Sequence, residues 1–114
     1  MDSVPEFGNS AVYTALKRAG TFSCPIPEEF KSLEKRGPVE MSDKSVYSGQ
    51  WLKESRHGLG TLFWPDGSSY EGLWENGSAQ GRGRLIHSDG SYYEGNFNKG
   101  KAHGSGKFIH PDTA

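Results

Sequence analysis

Four histidines (His57, His87, His103, His110), a series of aspartates (Asp66, Asp89, Asp112) and a single cysteine (Cys24) are the residues able to hold a metal or to act as acid, base or nucleophile. Structural zinc needs about four such side chains converging on one point. Covalent catalysis needs a nucleophile within hydrogen-bond reach of a base. Cys24 lies in Thr21-Phe22-Ser23-Cys24-Pro25-Ile26, a proline-broken stretch that reads as an extended connector with no local histidine. Asp66 and Asp89 each precede a glycine, where turn formation already accounts for them. A second chemistry is recognition. Large rings recur along the chain at Tyr47, Trp51, Trp64, Tyr70, Trp74, Tyr93 and Phe97, and these residue types dominate interface energetics. Which chemistry is available depends on the elements that carry these residues.

Those elements repeat. Residues 47–69, 70–92 and 93–114 align without gaps at a period of 23. Five columns are identical in all three copies: Tyr47/Tyr70/Tyr93, Gly49/Gly72/Gly95, Gly58/Gly81/Gly104, Gly60/Gly83/Gly106 and Asp66/Asp89/Asp112. Two more keep their character, Trp51/Trp74/Phe97 and Leu62/Leu85/Phe108. A fixed period of this size marks an architecture whose units bury their faces against neighbours. Each unit reads as a β-hairpin. Tyr70, Gly72 and Trp74 alternate onto one face of a first strand. A turn spans Glu75 to Gln80, a return strand runs from Gly81 to His87, and Asp89-Gly90 turns the chain into the next copy. The product is a mainly β, single-layer antiparallel meander. Glycine weakens a strand unless another group must approach its backbone. The matched periods of ring and glycine therefore place rings of one hairpin over bare backbone in the adjacent one.

This geometry decides the chemistry. His87 and His110 share a column two strands apart, nearly 10 Å at about 4.8 Å per strand, too far for a shared zinc without side-chain convergence. Trp64 fills that column in the first copy, which suits a packing or rim position. His57 and His103 stand four strands apart. The glycines follow strand periodicity and form no phosphate loop. The chain reads as non-catalytic, with no cofactor.

Upstream, Gly37-Pro38-Val39-Glu40-Met41-Ser42-Asp43 falls in register with Gly60–Asp66, placing Val39 in the leucine column and Asp43 in the aspartate column. Residues 39–46 thus form a decayed half-repeat that supplies an opening strand, for about seven strands with two open edges. Residues 1–38 form an N-terminal extension with two short helices. In the first, capped by Asn9 or Ser10, Val12, Ala15, Leu16 and Ala19 make an apolar stripe that Gly20 ends. The second opens at Pro27, carries Phe30 and Leu33, and ends at Gly37. Composition narrows the class further. Only 32% of the 114 residues are apolar, and 13 basic residues face 14 acidic ones. Nucleic-acid binders carry a basic surplus, so none is expected here. No run approaches the roughly 20 apolar residues of a spanning helix. The first residues lack the pattern of a secretory signal, and one cysteine fits a reducing, cytoplasmic compartment.

The segments Tyr70-Glu71-Gly72-Leu73-Trp74-Glu75-Asn76-Gly77, Tyr93-Glu94-Gly95-Asn96-Phe97-Asn98-Lys99-Gly100, and Tyr47-Ser48-Gly49-Gln50-Trp51 with His57-Gly58-Leu59-Gly60 resemble MORN repeats. Glu54 departs from Gly77 and Gly100, Gln80 from His57 and His103, and Thr113 from Gly67 and Gly90. The resemblance implies an elongated sheet of stacked hairpins and a non-enzymatic adaptor or structural subunit of a larger intracellular assembly, cytoskeletal or ciliary in setting. The partner-binding face expected from the residues is Tyr47, Trp51, Trp64, Tyr70, Trp74, Tyr93 and Phe97, receiving a helix or strand of another protein. Phe63, Leu73, Ile86 and Ile109 form a second apolar strip on the opposite face, and the open edges offer self-association. The alternative is a peripheral membrane module binding acidic phospholipid. Arg82, Arg84, Lys99, Lys101 and Lys107 are its basic residues, against an equal number of acids and bases, seven of each, in residues 47–114.

Overall fold

Each repeat carries two turn signals, and the backbone of the computed structural model, which describes residues 10–20, 22 and 24–110, obeys both. Within a hairpin the turn has two residues. Asn76-Gly77 (φ 49° and 88°) and Lys99-Gly100 (φ 51° and 85°) are left-handed at both positions. That mirror-image turn matches the twist of the strands it joins. In the first repeat Lys53 is left-handed (φ 57°) while Glu54 is not, so the departure at Glu54 changes the turn's backbone. Between hairpins the Asp-Gly signal is joined by a serine. Asp66 Oδ1 accepts from Ser68 N at 2.9 Å and Ser68 Oγ at 2.6 Å, and Asp89 accepts from Ser91 at 2.8 and 2.7 Å. Asp43 does the same with Ser45, at 2.9 and 2.5 Å.

These turns join seven strands: β1 (Glu34–Glu40), β2 (Val46–Leu52), β3 (Ser55–Phe63), β4 (Ser69–Glu75), β5 (Ser78–Ile86), β6 (Tyr92–Asn98) and β7 (Lys101–Ile109). They form one open antiparallel sheet in chain order. The register repeats with the sequence. Val39 pairs with Tyr47, Leu62 with Tyr70 and Leu85 with Tyr93. Val39 and Asp43 thus stand in the leucine and aspartate columns. A bulge follows the first glycine of each repeat, between Gly49 and Trp51, Gly72 and Trp74, and Gly95 and Phe97.

Three expectations change. The turn spanning Glu75–Gln80 contracts to Asn76-Gly77, because the bulge absorbs the odd residue and lets β5 begin at Ser78. The second helix is absent. Pro27 leads into a single 3-10 turn, Glu28–Phe30, and the chain enters β1 at Glu34, five residues upstream of position 39. An isolated helix of that length is marginal, whereas the strand satisfies the backbone groups along the edge of β2. The tyrosine rings do not cross to the adjacent hairpin's glycines, although Trp74 reaches back to Gly60 of the preceding hairpin. Tyr47 covers Gly60, Tyr70 covers Gly83 and Tyr93 covers Gly106, each within its own hairpin. The expected first helix forms as α1 (Ser10–Ala19), ended by Gly20 at φ 74°. The Asn9 cap and the positions Asp112 and Thr113 lie outside the described residues.

Gly83 cannot gain a side chain cheaply, since a Cβ there would stand 2.5 Å from Tyr70 Cε1. Gly83→Ala is expected to lower unfolding stability by about 3 kcal/mol. Gly37→Ala, which meets nothing within 4 Å, should stay within about 0.5 kcal/mol. Urea denaturation of both variants measures the contrast. Lys44 holds φ 76° at the position where the later turns have Gly67 and Gly90. Lys44→Gly relieves a left-handed residue worth about 1–2 kcal/mol, against glycine's added entropy loss of about 0.5–1. The expected result is a gain in unfolding stability of up to about 1.5 kcal/mol, read as a higher urea midpoint.

Candidate functional site

The rings of one sheet face form a zigzag. Within a repeat Tyr47 meets Trp51 at 5.2 Å between ring centres, Tyr70 meets Trp74 at 5.0 Å and Tyr93 meets Phe97 at 5.3 Å. Between repeats Tyr47 meets Trp74 at 5.5 Å and Tyr70 meets Phe97 at 4.9 Å. Every pair is close to perpendicular, from 84° to 89°. Edge-to-face contacts of this kind add about 1 kcal/mol each beyond area burial. The bulge supplies an acceptor for each phenol. Tyr47 Oη donates to Gln50 O (2.7 Å), Tyr70 to Leu73 O (2.9 Å) and Tyr93 to Asn96 O (3.2 Å). Burial pushes the Tyr47 and Tyr70 phenols up, so they stay neutral donors.

Tryptophan carries the link between repeats. Trp74 Nε1 donates to Gly60 O of the preceding repeat at 3.1 Å. Trp51, paired with Glu34 of β1, has a buried Nε1 with no partner. Gly37, which stands 23 residues before Gly60, lies in the irregularity between Arg36 and Val39. Guanidinium groups lie over both indoles, Arg36 on Trp51 at 4.9 Å and Arg56 on Trp74 at 4.6 Å. Arg56 Nη2 also donates to Gly77 O at 2.7 Å.

Five of the seven rings expected at a partner face are therefore buried in the sheet's own packing: Tyr47, Trp51, Tyr70, Trp74 and Phe97. Trp64 and Tyr93 are half-buried. What the face offers is a hollow of about 440 Å³, floored by Tyr70, Trp74 and Phe97 and walled by Trp64, Leu85 and Arg56. A second hollow of about 400 Å³ runs on between Trp64, Leu85 and His87.

The opposite face is occupied by the chain itself. Val12 and Ala15 of α1 are buried against Ile86 and Tyr92, with Leu16, Ala19 and Ile109 packed around them. Two residues of the expected second strip, Ile86 and Ile109, thus lie beneath α1, while Phe63 and Leu73 are half-buried. Arg84, 3% exposed, fastens the helix. It donates to Gly20 O at 2.7 Å and Ala19 O at 3.3 Å, satisfying carbonyls at the helix end, and pairs with Glu94 at 3.1 Å. Phe22 is buried under Arg84 and Arg82. Gln50, buried, closes the other end of the segment by donating to Phe30 O at 2.8 Å. Sequence reasoning placed Arg84 only among the basic residues of a lipid-binding alternative and gave Gln50 no role; neither lies in a repeated column, and their partners are 64 and 20 residues away.

The residues able to do chemistry serve packing and turns. His57 Nδ1 accepts from Asn76 N at 3.1 Å, and Gln80 Oε1 accepts from Lys99 N at 2.9 Å. The His-to-Gln departure thus preserves one acceptor for the next hairpin's turn. His87 and His110 flank Phe108, at 6.2 and 5.0 Å. Burial raises the Cys24 thiol, which leaves it less reactive. Among the described residues no three of the His, Cys, Asp and Glu side chains gather where a metal could bind.

Hydrogen bonds from Ser45, Ser68 and Ser91 hold the Asp43, Asp66 and Asp89 carboxyls below their ordinary value of 3.8. Their contribution is complete above the unfolded value and is lost as pH falls through the lower folded one. Burial acts oppositely on Glu71, raising its carboxyl above 4.5, so its term favours folding at low pH. The urea midpoint should decline below about pH 4, and Asp66→Asn with Asp89→Asn should flatten that decline. The indoles give a second test. Trp74→Phe abandons a paired Gly60 carbonyl, whereas Trp51→Phe removes an unpaired N–H. The first is expected to lose about 1 kcal/mol more stability than the second.

A family model described as the MORN repeat matches residues 47–69, 70–92 and 93–113 in succession. No curated protein matches the chain in sequence. The three matches coincide with the hairpins β2–β3, β4–β5 and β6–β7 and cover more than half of the chain. The chain belongs to the MORN-repeat family, whose units are binding and structural repeats.

Proposed function

We propose that this chain is a non-catalytic adaptor that receives an apolar helix or extended segment of another protein on its ring-lined face, within a cytoplasmic assembly of cytoskeletal or ciliary type. One observation carries the reading. The ring-lined face keeps an open hollow between Trp64, Leu85 and Arg56, while the opposite face is filled by α1 and the segment that follows it. The buried rings act as a rigid floor, and the half-exposed Trp64 and Leu85 are the anchors available to a partner. Family membership supports a binding role of this kind.

The test places a photo-reactive residue at Trp64 or at Ile26, which lies in the N-terminal segment, in the full chain expressed in its native cells. A protein other than this chain should crosslink at position 64 and not at 26, and Leu85→Glu should reduce capture at least tenfold. Salt-sensitive sedimentation with phosphatidylserine vesicles, without protein crosslinks at 64, would instead favour the phospholipid-binding alternative.

A further inference from the structure

Two arginines of this sheet lie over indoles, and their settings match in all but one part. Arg36 covers Trp51 at 4.9 Å and donates to a carbonyl of the β2–β3 turn, Lys53 O, at 3.4 Å. Arg56 covers Trp74 at 4.6 Å and donates to a carbonyl of the β4–β5 turn, Gly77 O, at 2.7 Å. The first guanidinium is completed by a carboxylate. Glu34, which pairs with Trp51 across β1 and β2, accepts from Arg36 Nε at 2.9 Å and from Nη2 at 3.0 Å. Planar guanidinium forks meet carboxylates in this two-pronged way. At the second setting the residue opposite Trp74 is Gly58, which has no side chain to offer.

Among the described residues no acid forms an ion pair with Arg56. Asp43 also lines the hollow, but its Oδ1 is engaged by Ser45. The hydrogen bond with Glu34 raises Arg36 above its ordinary value, whereas burial lowers Arg56. A half-buried cation with spare donors thus stands in the wall of the hollow that Trp64 and Leu85 also line. Resting on the adaptor reading, we propose that the partner's segment brings an Asp or Glu side chain to Arg56 and an apolar side chain between Trp64 and Leu85. The acid completes at Trp74 the pairing that Glu34 already makes at Trp51. It also supplies specificity, because a segment with an amide or a base at that place covers the guanidinium without a counter-charge.

The probe is a random peptide library selected against the full chain, keeping peptides whose binding Leu85→Glu abolishes. These should carry an Asp or Glu beside an apolar anchor. Changing that acid to its amide in the peptide should weaken binding to the wild-type chain at least about tenfold, and to Arg56→Gln by less than about twofold. The first comparison alters only the peptide, so it holds however Arg56→Gln folds. Amidating the peptide's C-terminus should change nothing, which separates a side-chain acid from a terminal carboxylate. Peptides that lack an acid, or that keep their affinity as amides, overturn the proposal and leave the adaptor reading standing. Phosphatidylserine vesicles that bind the wild-type chain but not Arg56→Gln, with no acidic peptide recovered, assign the anion to lipid and overturn it as well. A library yielding no peptide sensitive to Leu85→Glu also overturns the proposal, whereas crosslinking at position 64 in cells decides the adaptor reading by itself.

Discussion

A sheet of one layer has no second layer to keep its apolar face dry, and here the tyrosine seated on a glycine pair does that work. Gly49 and Gly60 are paired across β2 and β3 so closely that a Cβ on either would overlap its neighbours, and Tyr47 lies in the trough this leaves. With Tyr47 essentially without exposed surface, the ring is as buried as a core residue of a layered domain. Everything else on that face is placed by this contact. The bulge after the glycine aims the phenol at a carbonyl, and the next aromatic swings over to meet the ring of the preceding repeat. Because each ring touches its own hairpin and an adjacent one, stability grows by neighbour contacts.

The two faces answer different needs. One is closed internally by interlocking rings, which keeps it rigid and leaves a hollow at its rim. The other carries polar and aliphatic residues that cannot cover themselves, and the N-terminal segment lies across it from α1 at β5 to Phe30 at β2. Arg84 makes that arrangement directional, since a buried guanidinium needs several acceptors and finds them in the helix end and in Glu94. Covering one face leaves the other open.

Polar residues that suggest catalysis in isolation act here as ties between turns. His57 and Gln80 present an acceptor to the turn of the following hairpin, and each Asp binds the serine two residues on. That serine recurs as Ser45, Ser68 and Ser91, a column visible in the sequence but carrying no meaning until the aspartate is seen to bind it.

The repeat period, the hairpins, the strand count and the pairing of ring with glycine all follow from the sequence alone, because they depend on contacts within about 23 residues. So does α1, whose apolar stripe and terminal glycine are local signals. The tertiary structure decided the rest. Residues 28–37 became turn and strand rather than helix because the edge of β2 required hydrogen-bond partners more than a short helix could hold itself together. Whether a ring covered its own hairpin or the next depended on the bulge, which the alternation of residues does not record. The docking of α1 depended on Arg84, more than sixty residues away, and a contact across that separation leaves no periodic trace for sequence reasoning to follow.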